Sequence, residues 1–229
     1  MIVSFILLFG ASISSCSKST MNNIGNMQPQ KKYLALGDSY TIGESVSPHQ
    51  NFPNQLVDSL AQEGIKIAAP RIIATNEWTT TDLKNAITLA QPTKDHDLVT
   101  LLIGVNNQYQ QKPVALYDTE FRELLESAVT FAKDDGKKVI VVSIPDYGVT
   151  PFAQNSDTAR IKRELDNYNA VARSITESLN IKFIDITTIS RSPVNRNLLV
   201  ASDDLHPSAF QYSLWVKEIL PAARIILQP

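Results

Sequence analysis

The chain has 229 residues, the size of one larger domain built on a single core. Its formal net charge is -2, and it has no long block of like charges. These values exclude the strongly basic surface that nucleic-acid-binding proteins present to phosphates, so we expect no nucleic-acid partner.

The N-terminal segment has the composition of a targeting sequence. Residues 2–13 are almost entirely apolar and uncharged, but this run is shorter than the ~20 residues that a membrane-spanning helix needs. We interpret residues 1–15 as a signal peptide, the alternative being a buried N-terminal strand or helix. The polar composition that follows is typical of a tether, which we assign to residues 16–30, and it favours the signal peptide.

Cys16 is the only cysteine in the sequence, which excludes an intrachain disulfide and a cysteine-based metal cluster. Together with Ile13, Ser14 and Ser15 it resembles a bacterial lipobox, in which the cysteine is acylated and becomes the mature N-terminus. No Lys or Arg precedes the apolar run, where the α-amino group of Met1 is the only positive charge. The resemblance implies an exported bacterial lipoprotein of the cell envelope, in the periplasm or outer membrane, anchored to the membrane by the lipid on Cys16.

Short apolar runs, each bounded by turn residues or charges, predict the strands of the remaining chain. Four of them have the pattern of strands buried on both faces: residues 32–37, 99–105, 137–144 and 181–187. A fifth run, residues 65–74, is interrupted by Pro70. Because proline cannot donate to a ladder of hydrogen bonds, we expect this strand near a sheet edge or with a bulge.

Amphipathic stretches separate the strands and predict helices. Apolar residues recurring every three or four positions place these helices at residues 52–63, 80–90, 118–136, 157–180 and 207–220. Asp157 is a candidate N-cap, Asn180 a candidate left-handed stop, and Pro207 suits a first helical turn. The alternation of strands and helices predicts one α/β domain over residues 31–229, with a mostly parallel sheet covered on both faces.

In open parallel sheets, ligands bind at the carboxyl ends of the strands. Three polar clusters fall at such ends or just before the last helix: GDSYT at 37–41, GVNNQY at 104–109 and SDDLHPS at 202–208. Each cluster by itself also has the composition of an ordinary turn. Their occurrence together, at one predicted edge of the sheet, indicates a site.

A serine hydroxyl becomes a nucleophile when a neighbouring base removes its proton, and histidine is the usual base. Ser39 stands at the end of the first predicted strand, and His206 follows Asp203 by three residues, close enough for the carboxylate to orient the ring. We interpret the other two histidines, His49 and His96, as solvated structural residues. The residues therefore predict a Ser39, His206 and Asp203 triad.

With these motifs the chain, from about residue 31 to its C-terminus, resembles the GDSL or SGNH hydrolases. These are serine esterases and lipases with a flavodoxin-like, three-layer α/β/α fold and a mostly parallel central sheet. The resemblance assigns the nucleophile to Ser39 in GDSYT and an oxyanion-stabilising side-chain donor to Asn106 in GVNN. It assigns the last motif, Asp-x-x-His, to Asp203 and His206.

One position departs from the family pattern. Relatives carry a glycine whose backbone N–H completes the oxyanion hole together with the Ser39 N–H, and this chain has Glu77 there, in TNEWTT. The backbone donor survives this substitution, but a site that requires positive φ would be strained by a side chain. A nearby carboxylate would also oppose the charge that develops on the oxyanion, so we expect slower catalysis by the same mechanism.

The expected function is hydrolysis of carboxylic esters, acyl or acetyl, through an acyl-enzyme, with no metal or organic cofactor. The expected partners are a small-molecule, lipid or glycan ester and the membrane that holds the anchor. One alternative is a catalytically weak lipoprotein that binds an acyl or glycan ligand on the same fold. Another is a flavin or phosphate binder, disfavoured because the sequence has no glycine-rich phosphate loop.

Overall fold

The structure is a computed structural model that describes Met1, residues 30–192 and residues 196–228. Five parallel strands form one sheet in the order β2-β1-β3-β4-β5, which is the flavodoxin-like order. The strands are β1 Tyr33–Gly37, β2 Arg71–Ala74, β3 Leu98–Leu102, β4 Val139–Val142 and β5 Lys182–Ile184. The sequence-based prediction of an α/β fold with a mostly parallel sheet is confirmed.

The sheet is buried on both faces in its centre. Every residue of β1, β3 and β4 is buried, as the continuous apolar runs predict. In contrast, β2 is a half-exposed edge strand. It begins directly after Pro70, so the proline lies outside the ladder that it would interrupt.

Nine α-helices are present in the described residues, and the larger ones form two layers. They are α1 Ser39–Ile42, α2 Phe52–Gln62, α3 Thr80–Ala90, α4 Val105–Tyr109, α5 Val114–Phe131, α6 Thr158–Ser178, α7 Thr187–Ser190, α8 Arg196–Leu199 and α9 Ala209–Leu227. Helix α2 packs on α9, which contacts β3 and β5. Helices α3 and α6 pack on α5, which contacts β3. The sheet thus lies between two layers of helices.

The predicted ends of two helices are wrong for identifiable reasons. Helix α5 begins after Pro113 rather than at residue 118, because buried Tyr117 extends its apolar face by one turn. It ends before residue 136, because Lys133 and Asp134 adopt positive φ. Helix α9 continues past residue 220, through Pro221, since Ala223 and Leu227 continue its buried face.

The start of α9 also differs from the prediction, since Pro207 precedes the helix and Ser208 is its N-cap. The caps predicted for α6 are confirmed: the Asp157 side chain accepts from the Arg160 N–H, and Asn180 adopts a φ of 55° just beyond the helix.

One prediction about the histidines is wrong. His96 is 3% exposed and not solvated, and its backbone N–H donates to the Phe131 carbonyl, which draws the residue under the end of α5. Burial lowers the pKa of its imidazole. His49 is exposed, as predicted.

The predicted signal peptide and tether, with Cys16, lie outside the described residues apart from Met1 and residue 30. Within the residues that are described, no helix combines the length and the apolar character needed to cross a membrane.

Candidate active site

The Gly37–Ser39 turn places a serine at the carboxyl end of β1. Asp38 is the N-cap of α1, and its Oδ1 accepts the Tyr40 backbone N–H at 3.0 Å, so Ser39 becomes the first helical residue. The turn is tight: a Cβ on Gly37 would lie 2.1 Å from Thr41 Oγ1 and 2.4 Å from the Leu102 carbonyl oxygen. Glycine at residue 37 therefore lets α1 fold back over the end of the strand, and Ser39 is held nearly buried, at 5% exposed.

Asp203 and His206 form a pair in the loop before α9. The ring Nδ1 of His206 lies 2.6 Å from Asp203 Oδ2. Asp203 Oδ1 accepts the backbone N–H groups of Leu205 and His206, each at 3.0 Å, so the carboxylate closes the turn that carries the histidine. With Nδ1 engaged, Nε2 is the ring nitrogen left for other chemistry.

Asp203 is held in its charged form. Partial burial raises the pKa of its carboxyl, but hydrogen bonds from Ser45, His206 and the two backbone N–H groups outweigh burial and lower the pKa to about 2. The carboxylate is therefore negative throughout the pH range in which imidazole titrates. It can fix the tautomer of the ring and stabilise an imidazolium.

Besides Ser39, two residues are expected to form the oxyanion hole, Glu77 in the loop after β2 and Asn106 in α4. Glu77 follows β2 and adopts a φ of 65°, the left-handed conformation that glycine adopts without strain. Its carbonyl accepts from Gln110 Nε2 at 3.2 Å. The side-chain nitrogen of Asn106, in α4, donates to the Trp78 carbonyl at 3.0 Å, which uses one of its two hydrogens.

Asn107, the second asparagine of GVNN, connects α4 to α3. Its Oδ1 accepts the Thr80 backbone N–H at 2.9 Å, and its Nδ2 donates to Thr80 Oγ1 at 2.7 Å. Thr80 Oγ1 in turn donates to the buried carboxylate of Glu120 at 2.5 Å. These contacts hold the loop that carries Glu77 and Trp78 against α4, which carries Asn106.

A cavity of about 490 Å³ joins these elements. It is lined by Ser39, Tyr40, Asn76, Glu77, Val105, Asn106, Tyr109, Gln110, Tyr147, Phe152, Leu205 and His206. Among these described lining residues there is no lysine or arginine, and Glu77 supplies an acidic side chain.

One wall of the cavity is aromatic. The rings of Tyr109, Tyr147 and Phe152 contact one another with centroids 6.0 to 6.4 Å apart, and Tyr109 and Phe152 are 55% and 46% exposed. The segment after β4 that contains Tyr147 and Phe152 thus forms part of the cavity wall. Exposed aromatic faces of this kind bind apolar chains or rings.

The cavity brings together four of the predicted site residues, Ser39, Glu77, Asn106 and His206. The fifth, Asp203, does not line the cavity but is hydrogen-bonded to His206. Within the described part of the chain, no hydrogen bond joins Ser39 Oγ to the His206 ring. Such bonds are often long in the absence of substrate. Among the described residues, no group of three or more His, Cys, Asp or Glu side chains is arranged to hold a metal ion.

Sequence reasoning missed two contacts at this site. Ser45 donates to Asp203 Oδ2 at 2.6 Å across 158 positions of the chain, and no local pattern indicates that pairing. Gln110 lies beside Glu77, and its place in the GVNNQYQ segment was the available signal.

Residues 35–214 match the model of a family described as GDSL-like lipase/acylhydrolase. A comparison with curated protein sequences found no match.

Solved structures share the fold at low sequence identity. A lipase/acylhydrolase from Enterococcus faecalis is 22% identical, with a TM-score of 0.65 over 87% of this chain and 98% of that one. An acetyl xylan esterase from Geobacillus stearothermophilus, in a W215I variant, is 21% identical, with a TM-score of 0.61 over 84% and 94% of the two chains. The psychrotrophic esterase EstA from Pseudoalteromonas sp., inhibited by monoethylphosphonate, is 16% identical, with a TM-score of 0.61 over 86% and 98%.

Proposed function

Because the chain belongs to the GDSL-like lipase/acylhydrolase family, we propose that it hydrolyses carboxylic esters with Ser39 as nucleophile, His206 as base and Asp203 as the group that orients the base. The observation that carries the proposal is the 2.6 Å contact between Asp203 and His206, on the same cavity that Ser39 lines. A histidine oriented by a carboxylate beside a serine is the arrangement that activates a hydroxyl.

In the first half of the reaction, Ser39 Oγ attacks the ester carbonyl carbon while His206 Nε2 takes the hydroxyl proton. The tetrahedral oxyanion is met by the backbone N–H groups of Ser39 and Glu77 and by the free hydrogen of Asn106 Nδ2. As the C–O bond breaks, the His206 imidazolium gives its proton to the leaving alcohol. Ser39 is left acylated.

In the second half, His206 removes a proton from water, and the hydroxide attacks the acyl carbon through a second oxyanion. Ser39 leaves with the proton from His206, and the carboxylic acid is released. Every proton moves through one imidazole, so the reaction as written needs no metal ion or organic cofactor.

The cavity supports uncharged esters as the substrate class. Its aromatic wall suits an acyl chain or a ring, whereas Glu77 disfavours an anionic group. An acetylated glycan and a short acyl ester both meet these requirements. A panel of acetyl to decanoyl p-nitrophenyl esters and acetylated oligosaccharides would rank them.

The experiment that tests the function is labelling with a serine-directed fluorophosphonate. We expect the wild type to be labelled, and Ser39→Ala to lose the label and at least about 10³-fold in kcat, because the nucleophile is absent. Ser127→Ala, which removes a hydroxyl from the exposed face of α5, is the matched control. A folded wild type without label or turnover, but with measurable ligand binding, would instead support the binding lipoprotein.

We also propose that the protein is an exported lipoprotein attached to a membrane through Cys16. The support is the apolar segment and the Ile-Ser-Ser-Cys sequence that ends it.

A further inference from the structure

Ser45 contacts the carboxylate that orients the histidine. Its Oγ donates to Asp203 Oδ2 at 2.6 Å, and the same oxygen lies 2.6 Å from His206 Nδ1. The other oxygen, Oδ1, accepts two backbone N–H groups. Ser45 is therefore the only side chain besides His206 that bonds Asp203 in the described structure.

The contact joins the two ends of the proposed triad. Ser45 lies six residues after Ser39, just beyond Gly43, whose N–H caps α1 by donating to the Ser39 carbonyl. Glu44, which lies between Gly43 and Ser45, accepts a hydrogen bond from Asn76 Nδ2 at 2.8 Å. Asn76 directly precedes Glu77 in the chain. The short segment after the nucleophile thus bonds both flanking loops of the cavity.

The backbone at Ser45 adopts a conformation that favours glycine over serine. Its φ is 65°, in the left-handed region where glycine is unstrained and a side chain is costly. Lys133 and Asn180 adopt the same φ region at ordinary helix ends, so the feature particular to Ser45 is its contact with Asp203. Here the side chain supplies the hydroxyl that donates to Asp203 Oδ2.

We propose that Ser45 is a positioning residue that holds the Asp203 carboxylate in line with His206 Nδ1 and couples the nucleophile segment to the acid-base loop. The inference rests on the proposed esterase function. Without the Ser45 hydroxyl, the carboxylate keeps its backbone bonds but loses the constraint on Oδ2. The imidazole then spends less time with Nε2 directed at the Ser39 hydroxyl.

The test uses two variants that remove the hydroxyl with opposite effects on backbone strain. Ser45→Ala retains the strain and Ser45→Gly relieves it. For both we expect kcat to fall about tenfold, the value of one hydrogen bond to a charged group, while KM stays within about twofold. KM should stay nearly unchanged because Ser45 does not line the cavity. The melting temperature of Ser45→Gly should exceed that of Ser45→Ala, because both variants lose the bond to Asp203 and only glycine relieves the strain.

A conservative variant separates positioning from turn geometry. Ser45→Asn provides a side-chain N–H donor and a residue that tolerates positive φ, so we expect it to recover part of the lost kcat. Ser127→Ala again serves as the matched control.

A second measurement does not depend on turnover. The low-field proton NMR signal of the His206 Nδ1–H, assigned with His206→Gln, should shift or broaden in Ser45→Gly, because its acceptor is less constrained. If Ser45 were only a turn residue, Ser45→Gly would match the wild type in kcat and in this signal, and the inference would be overturned. An inactive wild type with the expected NMR change would reject the esterase function and retain the Ser45 contact.

Discussion

Glu77 occupies the position at which the resemblance to the GDSL hydrolases leads us to expect a glycine. The backbone there adopts the left-handed φ of 65° despite the side chain, so the conformation expected of glycine is retained. The side chain is exposed and lines the cavity. Glu77 therefore brings an acidic side chain to the cavity on a backbone that has the left-handed geometry.

We expect Glu77→Gln to raise kcat/KM for a neutral ester roughly fivefold, since a charge a few ångströms from the oxyanion contributes on the order of 1 kcal/mol in water-like surroundings. Glu77→Gly should raise it further and also stabilise the fold by about 1 kcal/mol, because the strain is relieved. Rates measured at low and high salt would check the cause, since salt screens the charge only in the wild type. Equal salt dependence of Glu77→Gln and wild type would contradict this explanation.

Residue identities at the site were predictable to different degrees. Short motifs contain Ser39, Asp203 and His206, and these motifs indicate the chemistry of the three residues without reference to the fold. The sequence alone therefore predicted them as candidates. Ser45 acts on a residue 158 positions away, through a single hydroxyl in an ordinary turn. His96 resembled a solvated loop residue because its burial comes from α5, which is distant in sequence.

At the scale of elements, the turn from β1 into α1 contains a buried acid. Asp38 is fully buried, and its Oδ2 has no hydrogen-bond partner in the described structure, while Oδ1 caps α1. Burial raises the pKa of its carboxyl to about 7, against smaller opposing effects of backbone hydrogen bonds. The cap that orients Ser39 is thus formed by a group that ionises near neutral pH.

This acid makes the fold sensitive to rising pH. A folded-state pKa above the unfolded value means that the folded protein binds more protons, so its stability falls as the pH rises from about 4 to about 7. The shift corresponds to a loss on the order of 4 kcal/mol. Asp38→Asn keeps the side-chain oxygen that accepts the Tyr40 N–H and removes the ionisation.

We expect the stability of Asp38→Asn relative to wild type to improve by several kcal/mol between pH 4.5 and pH 8, as measured by urea unfolding of both proteins. All other titrating groups are common to the two, so the difference isolates Asp38. Parallel pH dependences of the two proteins would show that Asp38 is ionised in the folded state at both pH values.

Whole-molecule topology explains why the site forms where it does. The strand order β2-β1-β3-β4-β5 reverses direction between β1 and β3, which leaves a crevice at their carboxyl ends. Ser39 follows β1 and Asn106 follows β3, so the proposed nucleophile and the proposed amide donor lie on the two sides of that crevice. The loop before α9 adds His206.

The attachment of the whole protein to a membrane is testable through Cys16. Growth of an expressing bacterium with a labelled fatty acid should label the wild type and leave Cys16→Ser unlabelled, because the thiol is the proposed acceptor. Cys16→Ser should also partition into the aqueous phase of a Triton X-114 extraction. A Cys16→Ser protein that retains the label would contradict the lipoprotein proposal.

The sequence by itself determined the α/β class, the parallel sheet and the candidate residues Ser39, Asn106, Asp203 and His206, because burial patterns and short catalytic motifs are local properties. Only the tertiary structure decided that Glu77 keeps the left-handed backbone and that Ser45 bonds Asp203. It also decided that α9 runs through Pro221 and that His96 is buried. These features depend on contacts between segments far apart in the chain, whose free energies outweigh the local preferences of the residues involved.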